Sequence, residues 1–205
     1  MSNLKSKLIE QLIVTTEELA RKGMTPATSS NFSARLDEHR CVITVSGRDK
    51  GKLTEDDFME IDMHGNALEP DRCASAETLL HTQIYNLRPA ANVVLHTHSL
   101  AQTLLSMHHA QAGEIKFNGY ELQKAFDGIK SHNTAVSLPI VANSQDMPAL
   151  SEATTPLFAR KDFWGYLIAG HGIYTWGRSI LEARRHLDAF EFLLNAELAK
   201  MGFKA

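Results

Sequence analysis

The chain has 205 residues, of which 43% are hydrophobic and 22% charged, with two cysteines and a formal net charge of −3. That length builds one sizeable core and is short for two, so a single domain over residues 1–205 is expected. The charge balance offers no basic face for nucleic acid; no apolar stretch reaches transmembrane length, so no membrane partner is expected; and the metal-type CxxC spacing is missing, so Cys41 and Cys73 are expected to be free thiols. The amphipathic start, Met1-Ser2-Asn3-Leu4-Lys5, lacks the uninterrupted apolar region of a secretory signal, which makes the cytoplasm the expected location.

Leu4, Leu8, Leu12 and Leu19, with Ile9 and Ile13, recur at helical spacing, and Gly23 is a natural stop. Residues 32–36 alternate like a strand, 37–39 turn and 41–45 return, which predicts an antiparallel hairpin. Thr54 and Asp57 have the spacing of a cap for one short helical turn, and 59–62 reads as a strand. Ser75 is predicted to cap a helix carrying Leu79, Leu80, Ile84 and Leu87 that ends before Pro89. Further strands are predicted at 93–98, 115–117, 136–141, 166–169 and 173–176, and helices at 100–107, 120–126 and 147–160. Pro139 puts the 136–141 strand near an edge or a bulge. Ser179 opens a long terminal helix with Leu187, Phe190 and Leu194. Trp176 and Phe190 are expected in the core. Hairpins and helix-separated strands together predict an α/β fold whose mixed sheet has helices on both faces.

The chemistry concentrates at the end of the 93–98 strand, in His96-Thr97-His98. Side chains at i and i+2 of a strand share a face, so two imidazoles leave a buried strand side by side, at metal-ligand spacing. Gly170-His171-Gly172 offers a third, framed by residues that permit close approach. Three protein ligands and one open position is the pattern of a catalytic zinc, although each of these histidines taken singly is also compatible with packing or a turn. His108 and His109 are adjacent and make a poor chelate.

Three segments rich in hydroxyls and glycine suit an anion: Thr28-Ser29-Ser30-Asn31, Ser46-Gly47-Arg48 and Ser75-Ala76. Each alone is equally a turn or a cap, and only their convergence would make a phosphate site. Arg48 and Lys50 either reach such a phosphate or lie in a solvated loop. Two glutamates compete for the role of acid and base. Glu77 lies beside the Ser75 segment, and Glu121 lies in Gly119-Tyr120-Glu121-Leu122-Gln123-Lys124.

Taken in order, the segments 28–33, 46–47, 75–77, 96–98 and 170–172 resemble the class II aldolase family. The resemblance implies a single three-layer α/β/α domain with a mixed, largely antiparallel central sheet. It implies one Zn²⁺ per subunit on His96, His98 and His171, and a sugar phosphate held by Thr28, Ser29, Asn31, Ser46, Gly47, Ser75 and Ala76. It also implies a homo-oligomer, usually a tetramer, with the site near a subunit interface. Segments 74–82, 119–125 and 138–146 resemble the dehydratase branch, in which the catalytic glutamate matches Glu121; in the aldolases it matches Glu77. Thr78 stands where some dehydratases carry a cysteine. A sugar-phosphate aldolase or epimerase remains the alternative. The fold also serves as an interaction head in cytoskeletal proteins; loss of zinc ligands would be expected there, and all three histidines are present here.

Overall fold

The computed structural model describes residues 2–69, 72, 74–75 and 77–202. Cys73 and Ala76 therefore lie outside the described residues, while Cys41 is a buried free thiol whose pKa burial pushes up to about 12.

Helix α1 (Ser2–Arg21) buries Ile9, Leu12 and Leu19 along one face. It stops at Gly23, whose φ of +73° lets the backbone turn so that Gly23 N–H bonds to Ala20 O and Met24 N–H to Leu19 O. A hairpin follows, β1 (Asn31–Arg35) with β2 (Arg40–Thr44), in the register Ser33 opposite Ile43. Its turn is fixed by the Asp37 carboxylate, which accepts from the backbone N–H groups of His39 and Arg40. The Thr54 cap holds one 3₁₀ turn, Glu55–Asp57, and β3 (Phe58–Asp62) pairs with β2. The remaining elements are α2 (Thr78–Leu87), β4 (Val93–Thr97), α3 (Leu100–His108), β5 (Glu114–Phe117), β6 (Val136–Val141), α4 (Met147–Thr154), β7 (Gly165–Ile168), β8 (Ile173–Gly177) and α5 (Ile180–Gly202).

Eight strands form one sheet in the order β3-β2-β1-β4-β8-β7-β6-β5, antiparallel except between β6 and β7. Alternation along β4 sends Val93 and Leu95 to one face, with α1, α3 and α5, and Val94 to the other, with α2 and α4. The result is the expected three-layer α/β/α domain. Phe190 and Trp176 lie in the two opposite cores.

Three local expectations are corrected. The residue at the start of α2 is Glu77; Ser75 lies two residues earlier, and its Oγ accepts from Glu77 N–H at 3.4 Å. The helix expected over 147–160 breaks after Thr154 into a 3₁₀ stretch, Thr155–Ala159, because Pro156 has no N–H to give. The segment around Glu121 is a 3₁₀ turn, Glu121–Ala125. Pro139 lies near the edge, as expected: β6 is one strand in, Pro139 is opposite Glu114 of β5, and pairing to β7 begins only at Ile140, so the missing donor costs that ladder nothing.

Candidate functional site

The site forms where β4 ends between β1 and β8. His96 is the last-but-one residue of β4 and fully buried; His98 follows the strand, its N–H bonded to Met24 O. His171 sits in the turn from β7 to β8. That turn presses so closely on β4 that a Cβ on residue 172 would lie 2.1 Å from Thr97 O and 3.1 Å from the His96 and His98 rings. Gly172 is thus a steric requirement for bringing the third imidazole to the other two.

The Nε2 atoms of His96 and His98 are 2.7 Å apart, and the His171 ring centre lies 5.1 Å from that of His96 and 4.7 Å from that of His98. The ligand atoms of all three rings fall within 4.8 Å of one another. His96 Nδ1–H donates to Ile173 O at 2.9 Å, which fixes the tautomer and leaves its Nε2 lone pair directed at the other rings. Tyr174 stacks on the His96 ring at 4.1 Å. Burial, with the neighbouring imidazoles, holds His96 well below the ordinary histidine range and His98 down to about 4. Three imidazoles with converging nitrogens are the donor set a divalent cation needs, so the residues fit a zinc ion. A second group, Asp127, Glu182 and His186, has ligand-type atoms within the same range. Its carboxylates already accept from the Arg178 and Arg185 guanidinium groups.

Glu77 faces this centre. Its Oε1 is 3.1 Å from His171 Nε2 and its Oε2 3.8 Å from His96 Nε2. Burial would raise its carboxyl, but the His171 hydrogen bond, the adjacent imidazoles and the Asn31 amide outweigh that and keep it ionised. Asn31 Nδ2 donates to Glu77, and behind it runs a chain that composition did not reveal. Asn31 Oδ1 accepts from His81 Nε2–H at 2.5 Å, His81 Nδ1 accepts from the Ser33 hydroxyl at 2.7 Å, and Ser33 Oγ accepts from Tyr85 O–H at 2.7 Å. The amide oxygen can only accept, so every proton in the chain has one consistent position. Ser33 and His81 are fully buried. The one hint in the sequence is a histidine and a tyrosine four apart on the apolar face of α2.

Glu121 is elsewhere. Its side chain is 71% exposed, paired with Lys124 and 3.7 Å from His132. Within its own chain it is not brought to the imidazoles.

The hydroxyl segments do converge. Thr28, Ser29, Ser30, Asn31, Ser46 and Ser75 line a recess of about 250 Å³ that Glu77 and His98 also border. Ser29 Oγ is buried there with no partner among the described residues. Gly47, at φ +73°, turns the second segment but does not line the recess. Ala27, Thr28 and Ser30 adopt positive φ (51°, 64° and 79°) without being glycine, a strained backbone that the sequence does not announce. Arg48 is exposed and pairs with Asp57, whereas Lys50 is buried, which removes the solvated-loop reading for Lys50. Beyond the imidazoles, a larger, open recess of about 660 Å³ is lined by Pro26, Leu100, Thr103 and Gly170, again with His98 and His171.

Comparison with known proteins gives the family and the fold. The sequence profile of the family described as Class II Aldolase and Adducin N-terminal domain matches residues 10–198. A methylthioribulose-1-phosphate dehydratase of Stenotrophomonas maltophilia (strain R551-3) is 54% identical over 193 residues, covering 94% of this chain and 91% of that protein. The protein of the same name from Xylella fastidiosa (strain 9a5c) is 52% identical over 197 residues, covering 96% and 90%. Among solved structures, the L-fuculose-1-phosphate aldolase of Thermus thermophilus superposes with a TM-score of 0.76 at 23% identity, covering 98% of each chain. YgbL of Escherichia coli, described as a putative aldolase/epimerase/decarboxylase, gives 0.82 at 20% identity, covering 98% of this chain and 93% of that one. At those identities the structures speak for the fold alone.

Proposed function

The chain belongs to the class II aldolase family, and from that premise we propose that it is a hydro-lyase of methionine salvage, converting 5-methylthioribulose 1-phosphate to 2,3-diketo-5-methylthiopentyl 1-phosphate. Relatives of that name at 52–55% identity over more than nine-tenths of the chain support the substrate. The observation that carries the chemistry is that His98 borders two recesses, one polar and one larger and open. A ketose phosphate laid across the imidazoles has its phosphate in the first and its methylthio end in the second.

In this reading His96, His98 and His171 hold one Zn²⁺ per subunit, and the bound ion supplies Lewis-acid polarisation of the ketose carbonyl. The hydroxyls and backbone amides of Thr28, Ser29, Asn31, Ser46 and Ser75 hold the phosphate. Glu77, ionised and beside the centre, takes the C3 proton. The C3–H electron pair forms the enediol, the C4–O bond breaks, and the hydroxyl leaves as water after gaining a proton. The remaining enol ketonises to the diketone. We assign the proton that the departing C4 hydroxyl gains to Glu121 of a neighbouring subunit in a cytoplasmic homotetramer, since within its own chain Glu121 stands outside the cluster.

Zinc-loaded protein incubated with 5-methylthioribulose 1-phosphate is expected to give the diketone chromophore. Cleavage to two carbonyl fragments would instead make the protein an aldolase. Glu77→Gln is expected to lose both dehydration and exchange of the C3 hydrogen with D₂O. Glu121→Gln should lose dehydration and keep the exchange. Exchange lost in Glu121→Gln and retained in Glu77→Gln would reverse the two assignments.

A further inference from the structure

Lys50 has no part in the reaction as derived above, yet its environment is unusual. Its side chain is 1% exposed, although lysine is almost never buried without a counter-ion. Among the described residues no carboxylate oxygen lies within ion-pair distance of it. Instead its ammonium donates to two backbone carbonyls, Thr28 O at 3.0 Å and Arg48 O at 2.8 Å. Those carbonyls belong to two of the segments at the anion recess, one of them the stretch in which Ala27, Thr28 and Ser30 hold positive φ. An ammonium has three protons to give, and two are used here.

Charge in the recess sharpens the point. Of the groups that line it, Glu77 is the one held ionised, and it is negative. A phosphate entering the recess meets that carboxylate, with hydroxyls, amides and the His98 ring around it. Lys50 is close enough to act electrostatically on both Glu77 and His98. Arg48, the other cation of the segment, is exposed and engaged with Asp57. Buried charge persists only where compensating interactions hold it; here these are two carbonyls, the more distant carboxylates of Asp49, Asp57 and Glu77 and, when the site is filled, the anion.

We propose that Lys50 is the positioning residue of the anion recess: from beneath, its ammonium ties the strained 27–30 loop to the segment after Ser46-Gly47 and supplies the positive charge that offsets Glu77 when a phosphate binds. This rests on the reading of the recess as the phosphate end of the substrate site.

The test uses inorganic phosphate as the probe and the zinc-loaded enzyme as the protein. Lys50→Met keeps most of the stem and removes the charge. It is expected to weaken phosphate binding, measured by calorimetry, about ten- to hundredfold, the range of a hydrogen bond to a charged group. KM for the sugar phosphate should rise by a similar factor while kcat stays within a few-fold and zinc remains bound. Lys50→Arg should restore most of the affinity. Phosphate binding by Lys50→Met within twofold of wild type would overturn the proposal, as would wild-type enzyme that does not bind phosphate at all. If Lys50→Met does not fold, the wild type still decides. The ¹⁵Nζ resonance of Lys50, slow to exchange because it is buried, should shift on adding phosphate, and an unmoved resonance overturns the proposal. Because phosphate alone is titrated, an enzyme that binds phosphate but does not dehydrate the methylthio sugar would refute the proposed reaction and leave the role of Lys50 standing.

Discussion

His81→Leu probes how Glu77 is held. The imidazole is fully buried and bonded on both nitrogens, to Asn31 Oδ1 and to the Ser33 hydroxyl. Leucine fills similar space and returns neither bond. The substitution therefore takes the donor from Asn31 Oδ1 and the acceptor from the Ser33 hydroxyl, both buried, at about 1–3 kcal/mol for each. The expected destabilisation is about 2–5 kcal/mol. For a chain of this size each kcal/mol lowers Tm by about 2–4 °C, so calorimetry should record a fall of about 5–15 °C. Asn31 also loses the contact that orients it, and with it the amide that Glu77 accepts from. Turnover should accordingly drop more than about tenfold with zinc still bound, since none of the three clustered imidazoles touches His81 through a hydrogen bond. His81→Gln, which can donate and accept, should recover part of both losses. A Tm within about 2 °C of wild type in His81→Leu would show that the chain from Tyr85 to Glu77 contributes nothing and would refute the reasoning.

Other outcomes follow from the same geometry. Burial pushes the folded His81 pKa down to about 3 from an ordinary 6.5. As pH falls below about 6.5 the unfolded chain gains a proton that the folded chain refuses until about pH 3. Stability is therefore complete above that window and declines through it, by about 1.4 kcal/mol per pH unit for this residue. Urea midpoints measured from pH 7 to 4 should show that slope, reduced in His81→Leu; identical slopes would count against it. Gly172→Ala drives a methyl into Thr97 O, 2.1 Å from the ideal Cβ, and into the His96 and His98 rings. Zinc content by atomic emission should fall far below one per chain, and full occupancy would contradict the tight β7–β8 turn. His98→Ala should likewise lose zinc and all turnover while far-ultraviolet dichroism stays native, because the ring lies beyond the end of β4 rather than in either core. Loss of the folded spectrum would assign His98 a structural role instead.

Much of this molecule is legible along the chain because local patterns encode it. Period-2 alternation set the β1–β2 hairpin and the facing of β4, helical spacing set α1 and α5, and a His-x-His at a strand end with a glycine-framed third histidine marked the three imidazoles that meet. Other features depend on residues far apart in sequence. Ser33 and His81 are 48 positions apart, and Lys50 bonds to a carbonyl 22 positions away. No local periodicity records such pairs. Folding alone buried Lys50 beneath the anion loop, turned Glu77 toward the imidazoles, brought three hydroxyl segments to one recess and left Glu121 on the surface. The physical reason is that residue type and spacing determine which face a side chain takes, whereas the meeting of two faces is decided by how the sheet and its helices pack.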